Sequence, residues 1–487
     1  MILQKIILIV FSVLFFGNVS FAQRVWSLEK CIEHVVNNNT TTMRRANFEV
    51  EKNKVIQQRA EAERQPNLNF ATNLGLNLGR ALDPTTSSFE TASILYNNFA
   101  LESNMTLYDG GQTKKRIKRS KLDIRASQAE ADQLSKDISL DVLRAYLRIL
   151  MAEENLENVK KNLAQTESWY QQTKNLVNGG LRSNADLREV EIQKARDEQR
   201  IIETQNFIDQ SYVALKLILE IDPSLSLKVE KPKKIAEPSK ILKDLSFKKV
   251  YAKALTSQPG VEGGELQLES LELAEKIARG TKAPYVSLFG GVYTNFSSSM
   301  KDFDAPNFSD TTQITQIQSG INVETMEPIE FRTKEIDNIK FPTVNYFNQL
   351  GNNLGLGFGV SLTLPILDRK SSQLNGEIAR LDFLQKQEDN LQFKQQLRTE
   401  IQNSIADVKA AAAKLEAVEK THQLLEAQII SMRNRFNQGN VNAFEYKTTI
   451  NERDTAEIEL VIAKYEFLLK KMVVEFYEGK KLSLRSN

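Results

Sequence analysis

The chain has 487 residues with 64 basic and 62 acidic side chains, and a net charge of +2 gives no pull towards nucleic acid. Two histidines and one cysteine leave almost no soft-metal ligands and no internal disulfide. After the first residues no apolar segment reaches the roughly 20 residues of a membrane-spanning helix, so an exported chain of this kind is either water-soluble or inserted as a β-barrel.

Residues 1–22 read as a secretory signal: Lys5, the apolar run Ile6 to Phe16, and the small-x-small site Ser20-Phe21-Ala22. Gln23 is the expected mature N-terminus, and Cys31, well past it, is expected as a buried thiol rather than a lipidated first residue. Trp26 to about Gln65 has a helical pattern that Pro66 stops. A strand over about 68–79 follows, in which Leu68, Phe70, Thr72, Leu74, Leu76 and Leu78 alternate with Asn69, Ala71, Asn73, Gly75 and Asn77. That length and alternation suit a strand with lipid on one side and water on the other. A half-buried strand of a soluble sheet fits the same pattern. Residues 80–99 read as a loop, with turns at Asp83-Pro84 and Ser87-Ser88, and a strand over about 100–109 returns antiparallel.

Asp109-Gly110-Gly111 breaks that strand and opens a helix over about 111–178. Ile117, Ile124, Ala131, Ile138, Ala145, Ala152 and Val159 fall seven apart, and Val142, Ile149, Leu156 and Leu163 form a second row. Two apolar rows at a seven-residue step define a coiled-coil seam, on a helix roughly 100 Å long at 1.5 Å per residue. Gly179-Gly180 ends it, and Ser183, with Asp186 three residues on, caps a second helix over about 183–220. The two form a helical hairpin with its tip near Leu181.

Residues 222–246, with Pro223, Pro232 and Pro238, read as a connector. The plan then repeats. A helix over about 247–279, a strand over 285–296, a polar loop over 297–353 and a strand over 354–365 lead to Pro365 and Asp368. A helix over about 369–437 follows, with a seam through Ile401, Val408, Leu415, His422, Ile429 and Phe436. Gly439 ends it, Asn442 caps a last helix over 442–477, and 479–487 form a tail. The chain is thus two structural repeats, 23–221 and 247–478, of mixed α and β structure. Gly355-x-Gly357-x-Gly359 is no phosphate loop, because a strand runs on through it. No nucleophile–base or carboxylate pair points to catalysis, His422 reads as packing, and no cofactor or metal is expected.

Four membrane-length strands are too few to close a barrel, since the smallest stable ones use eight, and open edges are not tolerated in lipid. Other subunits must complete them, and must also cover the helical seams. Several motifs then carry a family likeness: Arg64-Gln65-Pro66-Asn67-Leu68 opening the first strand, Leu107-Tyr108-Asp109-Gly110-Gly111 at the first joint, and Leu364-Pro365-Ile366-Leu367-Asp368 at the second. The second tip adds Phe436-Asn-Gln-Gly439-Asn-Val-Asn-Ala-Phe-Glu445-Tyr446. In this order, twice over, they resemble the TolC family of outer-membrane efflux ducts across essentially the whole mature chain.

The resemblance implies a homotrimer in the outer membrane of a Gram-negative bacterium, with a twelve-stranded transmembrane β-barrel joined to a periplasmic helical barrel. It implies a passive exit duct of a tripartite efflux or type I secretion system, working with a periplasmic adaptor and an inner-membrane transporter. Asp186 and Glu445 match acidic residues of the periplasmic gate, Glu445 as a candidate three-fold ring favouring cations or, on the plainer reading, a helix cap. Gly180, Leu181, Arg182, Ser183, Gly439, Asn440, Val441 and Asn442 are the expected adaptor-contact tips. The sequence departs from the family in placing Arg369-Lys370 after Asp368, where the first joint has two glycines, and Phe436 and Val441 where a tyrosine and an arginine are expected. The basic run Lys114, Lys115, Arg116, Lys118, Arg119 and Lys121 reads either as a headgroup contact or as a solvated helix face. The rival class is a periplasmic coiled-coil adaptor without a channel, which has no use for membrane-length strands.

Overall fold

The computed structural model describes residues 24–82, 87, 89–91, 93–231, 245–308, 312–337 and 341–484. The expected signal peptide, most of the 83–88 turn, the connector from 232 to 244 and the end of the tail lie outside them. The chain divides into two compact units, one of Met1–Ile56, Arg119–Glu272 and Arg380–Asn487, the other of Gln57–Lys118 and Leu273–Ala379. Each expected repeat contributes to both.

In the second unit, β2 (Asn67–Asn77), β5 (Ile94–Tyr108), β7 (Tyr285–Ser297) and β10 (Gly355–Thr363) form an antiparallel sheet in the order β10-β7-β5-β2. The register aligns Phe70, Leu101, Val292 and Leu356 in one row across all four strands, and Asn69, Glu102, Gly291 and Gly357 in the next. Because strand side chains alternate in direction, the apolar row and the polar, small row lie on opposite faces. The sequence alternation is therefore one continuous two-faced surface. On β10, Leu356, Phe358, Val360 and Leu362 are between 63 and 83% exposed in the single chain. Its other face carries glycines under aromatic rings: a Cβ at Gly359 would come within 2.7 Å of the Phe289 ring, and one at Gly357 would meet the Tyr293 hydroxyl.

Two loops hold more structure than expected. Residues 80–99 contain a small hairpin of β3 (Arg80–Leu82) and β4 (Phe89–Thr91), and β5 begins at Ile94. The 297–353 segment contains a hairpin of two ten-residue strands, β8 (Thr312–Ile321) and β9 (Pro328–Asp337), and a short helix, α7 (Tyr346–Asn352). Gln349 holds that helix to the end of β7, its side chain accepting from the Ser297 amide and donating to the Ser297 carbonyl at 2.9 and 3.0 Å.

In the first unit the expected helix from Trp26 needs correcting. Trp26 ends β1 (Arg24–Trp26), which pairs in parallel with β6 (Leu227–Val229) inside the expected connector. The Tyr146 hydroxyl clamps the pair, lying 2.9 Å from the carbonyls of Trp26 and Glu230 and accepting from the Glu230 amide at 2.8 Å. Helix α1 (Leu28–His34) follows, capped by Ser27, and a π-helical turn over Val35–Asn39 with an extended Thr40 separates it from α2 (Thr41–Ala62). Cys31 is fully buried beside Leu28 and Val35, and burial pushes its thiol up to about 12, so it is a core side chain.

The long helices stand close to where their seams place them: α3 (Gln112–Asn178), α4 (Asn184–Leu219), α8 (Ser371–Asn437) and α9 (Ala443–Tyr477). The helix expected over 247–279 is two, α5 (Phe247–Ser257) and α6 (Pro259–Arg279), because Pro259 forces Gln258 into an extended conformation. The expectation that the seams lack cover within the chain is also corrected. Val142 and Ile149 pack with Leu215 and Leu219 of α4 and Val461 and Leu468 of α9, and Ile401 and Val408 pack with Val250 of α5 and Phe467 of α9.

Candidate functional site

The strand-to-helix joints have one design used twice. At the first, the Asp109 carboxylate accepts from the Thr113 amide and hydroxyl, both at 2.6 Å, satisfying an orphan donor of the first turn of α3. At the second, Asp368 accepts from the Ser372 amide at 3.0 Å and from its hydroxyl. In both, the two residues after the aspartate turn the chain with positive φ: Gly110 and Gly111 at 69° and 74°, Arg369 and Lys370 at 54° and 61°. The departure noted in the sequence is thus a change of residue with the geometry kept. Arg116 binds Asp109 at 3.1 Å and Glu63 at 2.9 Å, so this member of the basic run is committed to the joint. Burial raises the Asp109 pKa, but the Thr113 hydrogen bonds and the Arg116 charge outweigh it and hold the carboxyl below the usual range. Pro365 follows the end of β10 and does not take part in the cap.

The two hairpin tips, both in the first unit, also share one design. Helix α3 ends with Gly180 at φ +74°, where Leu181 and Gly180 donate to the carbonyls of Leu176 and Val177. Helix α8 ends with Gly439 at φ +78°, where Asn440 and Gly439 donate to Arg435 and Phe436. Both are Schellman turns, which need a left-handed residue and so favour glycine. The helices leaving each tip are capped in turn. Ser183 and Asp186 form a reciprocal capping box at 3.2 Å in each direction. The Asn442 side chain accepts from the Glu445 amide at 2.8 Å and donates to the Glu445 carboxylate at 3.0 Å. Both acidic gate candidates therefore have local capping roles in this chain. Leu181, Ser183, Gly439, Asn440 and Asn442 are exposed, whereas Val441 is buried.

What joins the tips was only half visible in the sequence. Arg182 reaches from the first tip to the second, donating to the Phe436 carbonyl at 2.7 Å with its guanidinium 4.3 Å from the Phe436 ring. Phe436 stacks on Tyr446, and Trp169 of α3 meets both rings edge-on. Phe436 thus joins the two tips by ring packing and through its backbone carbonyl, with no side-chain hydroxyl to donate. Phe436 stands at a heptad position of the α8 seam, whereas Trp169 and Tyr446 stand outside the heptad rows.

Further along the same helices lies a buried polar cluster. Asp197 accepts from Thr166 at 2.7 Å and Gln193 at 2.9 Å, and Arg453 lies 2.9 Å from Asp454 and donates to Gln165 at 2.8 Å. Burial pushes the Asp454 carboxyl up to about 6; Arg453 pulls against this and Asp197 adds to it. His422 stands 3.8 Å from Glu426, and among the described residues no group of three or more side chains is placed to hold a metal.

Among the described residues the sheet has one exposed apolar face and no further strand beyond β2 and β10, in a chain with two capped helical hairpins, the parts of a strand-and-helix membrane channel. The chain belongs to the outer membrane efflux protein family, whose pattern matches residues 35–219 and 349–471. Its fold is similar to that of CusC, with a TM-score of 0.71 at 15% identity over 96% of this chain and 95% of that one. VceC from Vibrio cholerae gives 0.69 at 14% identity, covering 93% and 96% of the two chains. Campylobacter jejuni CmeC gives 0.70 at 13% identity, covering 93% and 86%. Comparison with curated protein sequences gives no match. The protein is an exit duct of the outer-membrane efflux class.

Proposed function

We propose that three copies close a twelve-stranded barrel in the outer membrane, the β2 edge of one chain pairing with the β10 edge of the next. The observation that carries this is the four-strand row Phe70, Leu101, Val292 and Leu356, backed on the opposite face by Asn69, Glu102, Gly291 and Gly357. An apolar face of this extent with open ladders on both sides is stable only against lipid and further strands. The helical hairpins line the periplasmic part of the route, and the duct is passive: an inner-membrane transporter, reached through a periplasmic adaptor, supplies the energy. Gly180, Leu181, Ser183, Gly439, Asn440 and Asn442, exposed at the tips, are the adaptor contacts. Buried Val441 supports the tip from within.

Glu445, three-fold repeated, forms a negative ring at the constriction, and Asp186 holds the first tip. The test is conductance across a planar bilayer, with the mass of the detergent-extracted protein. Small cation-favouring channels from a trimer are expected, and Glu445→Ala lowers the cation preference. A water-soluble monomer or dimer without conductance refutes the duct. An unchanged preference in Glu445→Ala refutes the ring alone.

A further inference from the structure

The strands β2, β5, β7 and β10 hold a single charged side chain among them, Glu102 of β5. It stands exposed on the polar face, in the row of Asn69, Glu102, Gly291 and Gly357. Among the described residues no hydrogen bond or ion pair reaches its carboxylate. The register sets Tyr293 opposite Ala100 and Phe289 opposite Asn104, so a ring lies diagonally on either side of Glu102 on the same face. Directly opposite Glu102 is Gly291, and a Cβ placed there would be 3.1 Å from the Tyr293 ring and 3.6 Å from the Glu102 Cγ. The missing side chain leaves a gap flanked by the ring and by the stem of the carboxylate. Both rings lean over glycines of β10, Tyr293 over Gly355 and Gly357 and Phe289 over Gly359, and both remain exposed. A ring lying over a glycine keeps its other face open.

We infer that Glu102, Tyr293 and Phe289 form a site on the inner wall of the barrel, three per trimer, that favours organic cations of the alkylammonium class. The carboxylate supplies the sign of charge, with no cation of the sheet to neutralise it. The ring faces attract a cation through their quadrupoles, and quaternary ammonium groups are typical occupants of aromatic-lined sites. A small metal ion is not served: it takes about six or more oxygen ligands, and among the described residues no group of three or more side chains is placed to hold one. Exposure keeps the attraction weak, as conduction requires of a site that must also release its occupant. The inference rests on the duct reading and adds to it the class of cargo that the barrel favours. It is separate from the Glu445 ring, which belongs to the tips.

The test is the reversal potential of the trimer in a planar bilayer at neutral pH and about 10 mM salt, where a charge is felt over about 30 Å. Glu445→Ala is the background, so that the tip ring does not contribute. With benzyltrimethylammonium chloride, Glu102→Gln is expected to lower the cation-to-chloride permeability ratio at least about twofold, and with sodium chloride by distinctly less. Glu102 has no polar partner within the chain, so this variant leaves the fold intact. Phe289→Leu, which keeps an apolar cover over Gly359, lowers the ratio for benzyltrimethylammonium more than that for sodium. An unchanged ratio in Glu102→Gln overturns the inference and leaves the duct standing. An equal fall for the two cations also overturns it, because a bare charge then accounts for the effect. A parent trimer that passes no current refutes the duct reading and the inference with it.

Discussion

The first joint offers a test in which two neighbouring glycines with nearly the same backbone give different answers. Gly110 and Gly111 have φ of +69° and +74°, so alanine at either meets the left-handed penalty of about 1–2 kcal/mol. Their surroundings differ. A Cβ on Gly111 meets nothing within 4 Å, whereas one on Gly110 runs into the Ala283 methyl, with Gly280 carbonyl oxygen at 3.6 Å. Forcing a methyl into a filled position costs a further ~1–3 kcal/mol. Gly111→Ala is therefore expected to lower stability by about 1–2 kcal/mol and Gly110→Ala by about 2–5 kcal/mol. Adding Ala283→Gly to Gly110→Ala returns the steric part and leaves the backbone part. The assay is urea unfolding of the protein in detergent micelles, followed by circular dichroism, with the parent, Gly110→Ala, Ala283→Gly and the double variant compared as a double-mutant cycle and Gly111→Ala measured beside them. Equal costs for the two alanines, or no rescue by Ala283→Gly, would refute the claim that the joint is set by this contact.

The second joint carries the opposite sign: Arg369→Gly relieves a left-handed arginine at φ +54° and is expected to raise stability by at most about 1 kcal/mol after the greater freedom of glycine in the unfolded chain, seen as a higher urea midpoint. At the first tip, Ser183→Ala removes one arm of the capping box and costs about 1 kcal/mol, seen as faster amide exchange in the first turn of α4. Asp454 gives a pH signature. Its folded pKa, about 6, lies above its unfolded value, so its contribution is fully present below pH ~4 and is lost as pH rises through 6. Asp454→Asn should remove a pH-dependent loss of order 2–3 kcal/mol between pH 4 and 7; an identical pH profile in both proteins would sink this reading.

The parts of the fold legible in the sequence are those specified by local periodicity. Strict alternation places β2 and β10 within a residue or two, the heptad rows place α3 and α8, and glycines mark both tips. The errors fall where distant residues decide. Trp26 looks helical because Leu28 and Cys31 lie on a helical face, yet its own backbone pairs with Val229, 203 positions away. The hairpin in the 297–353 segment left a trace: Ile329, Phe331 and Thr333 alternate with Glu330, Arg332 and Lys334 on β9. Its partner β8, with glutamines and threonines on both faces, has no such contrast and masked the pair. Of the candidate site, the turns and caps are readable because each lies within five residues. The Arg182–Phe436 contact and the polar cluster at Arg453 depend on the packing of three helices, and no single stretch encodes them.

The unpaired ladders on β2 and β10 also bear on inheritance. In the trimer proposed above, each seam is shared by two copies, so a chain with a broken edge spoils an assembly whose other members are sound. If defective and sound copies are made in equal amounts and mix freely, only roughly one trimer in eight escapes. An edge lesion would then behave as dominant, whereas a truncated chain that never meets its neighbours would be recessive. The difference between the two kinds of allele follows from a sheet that ends at both sides without a partner.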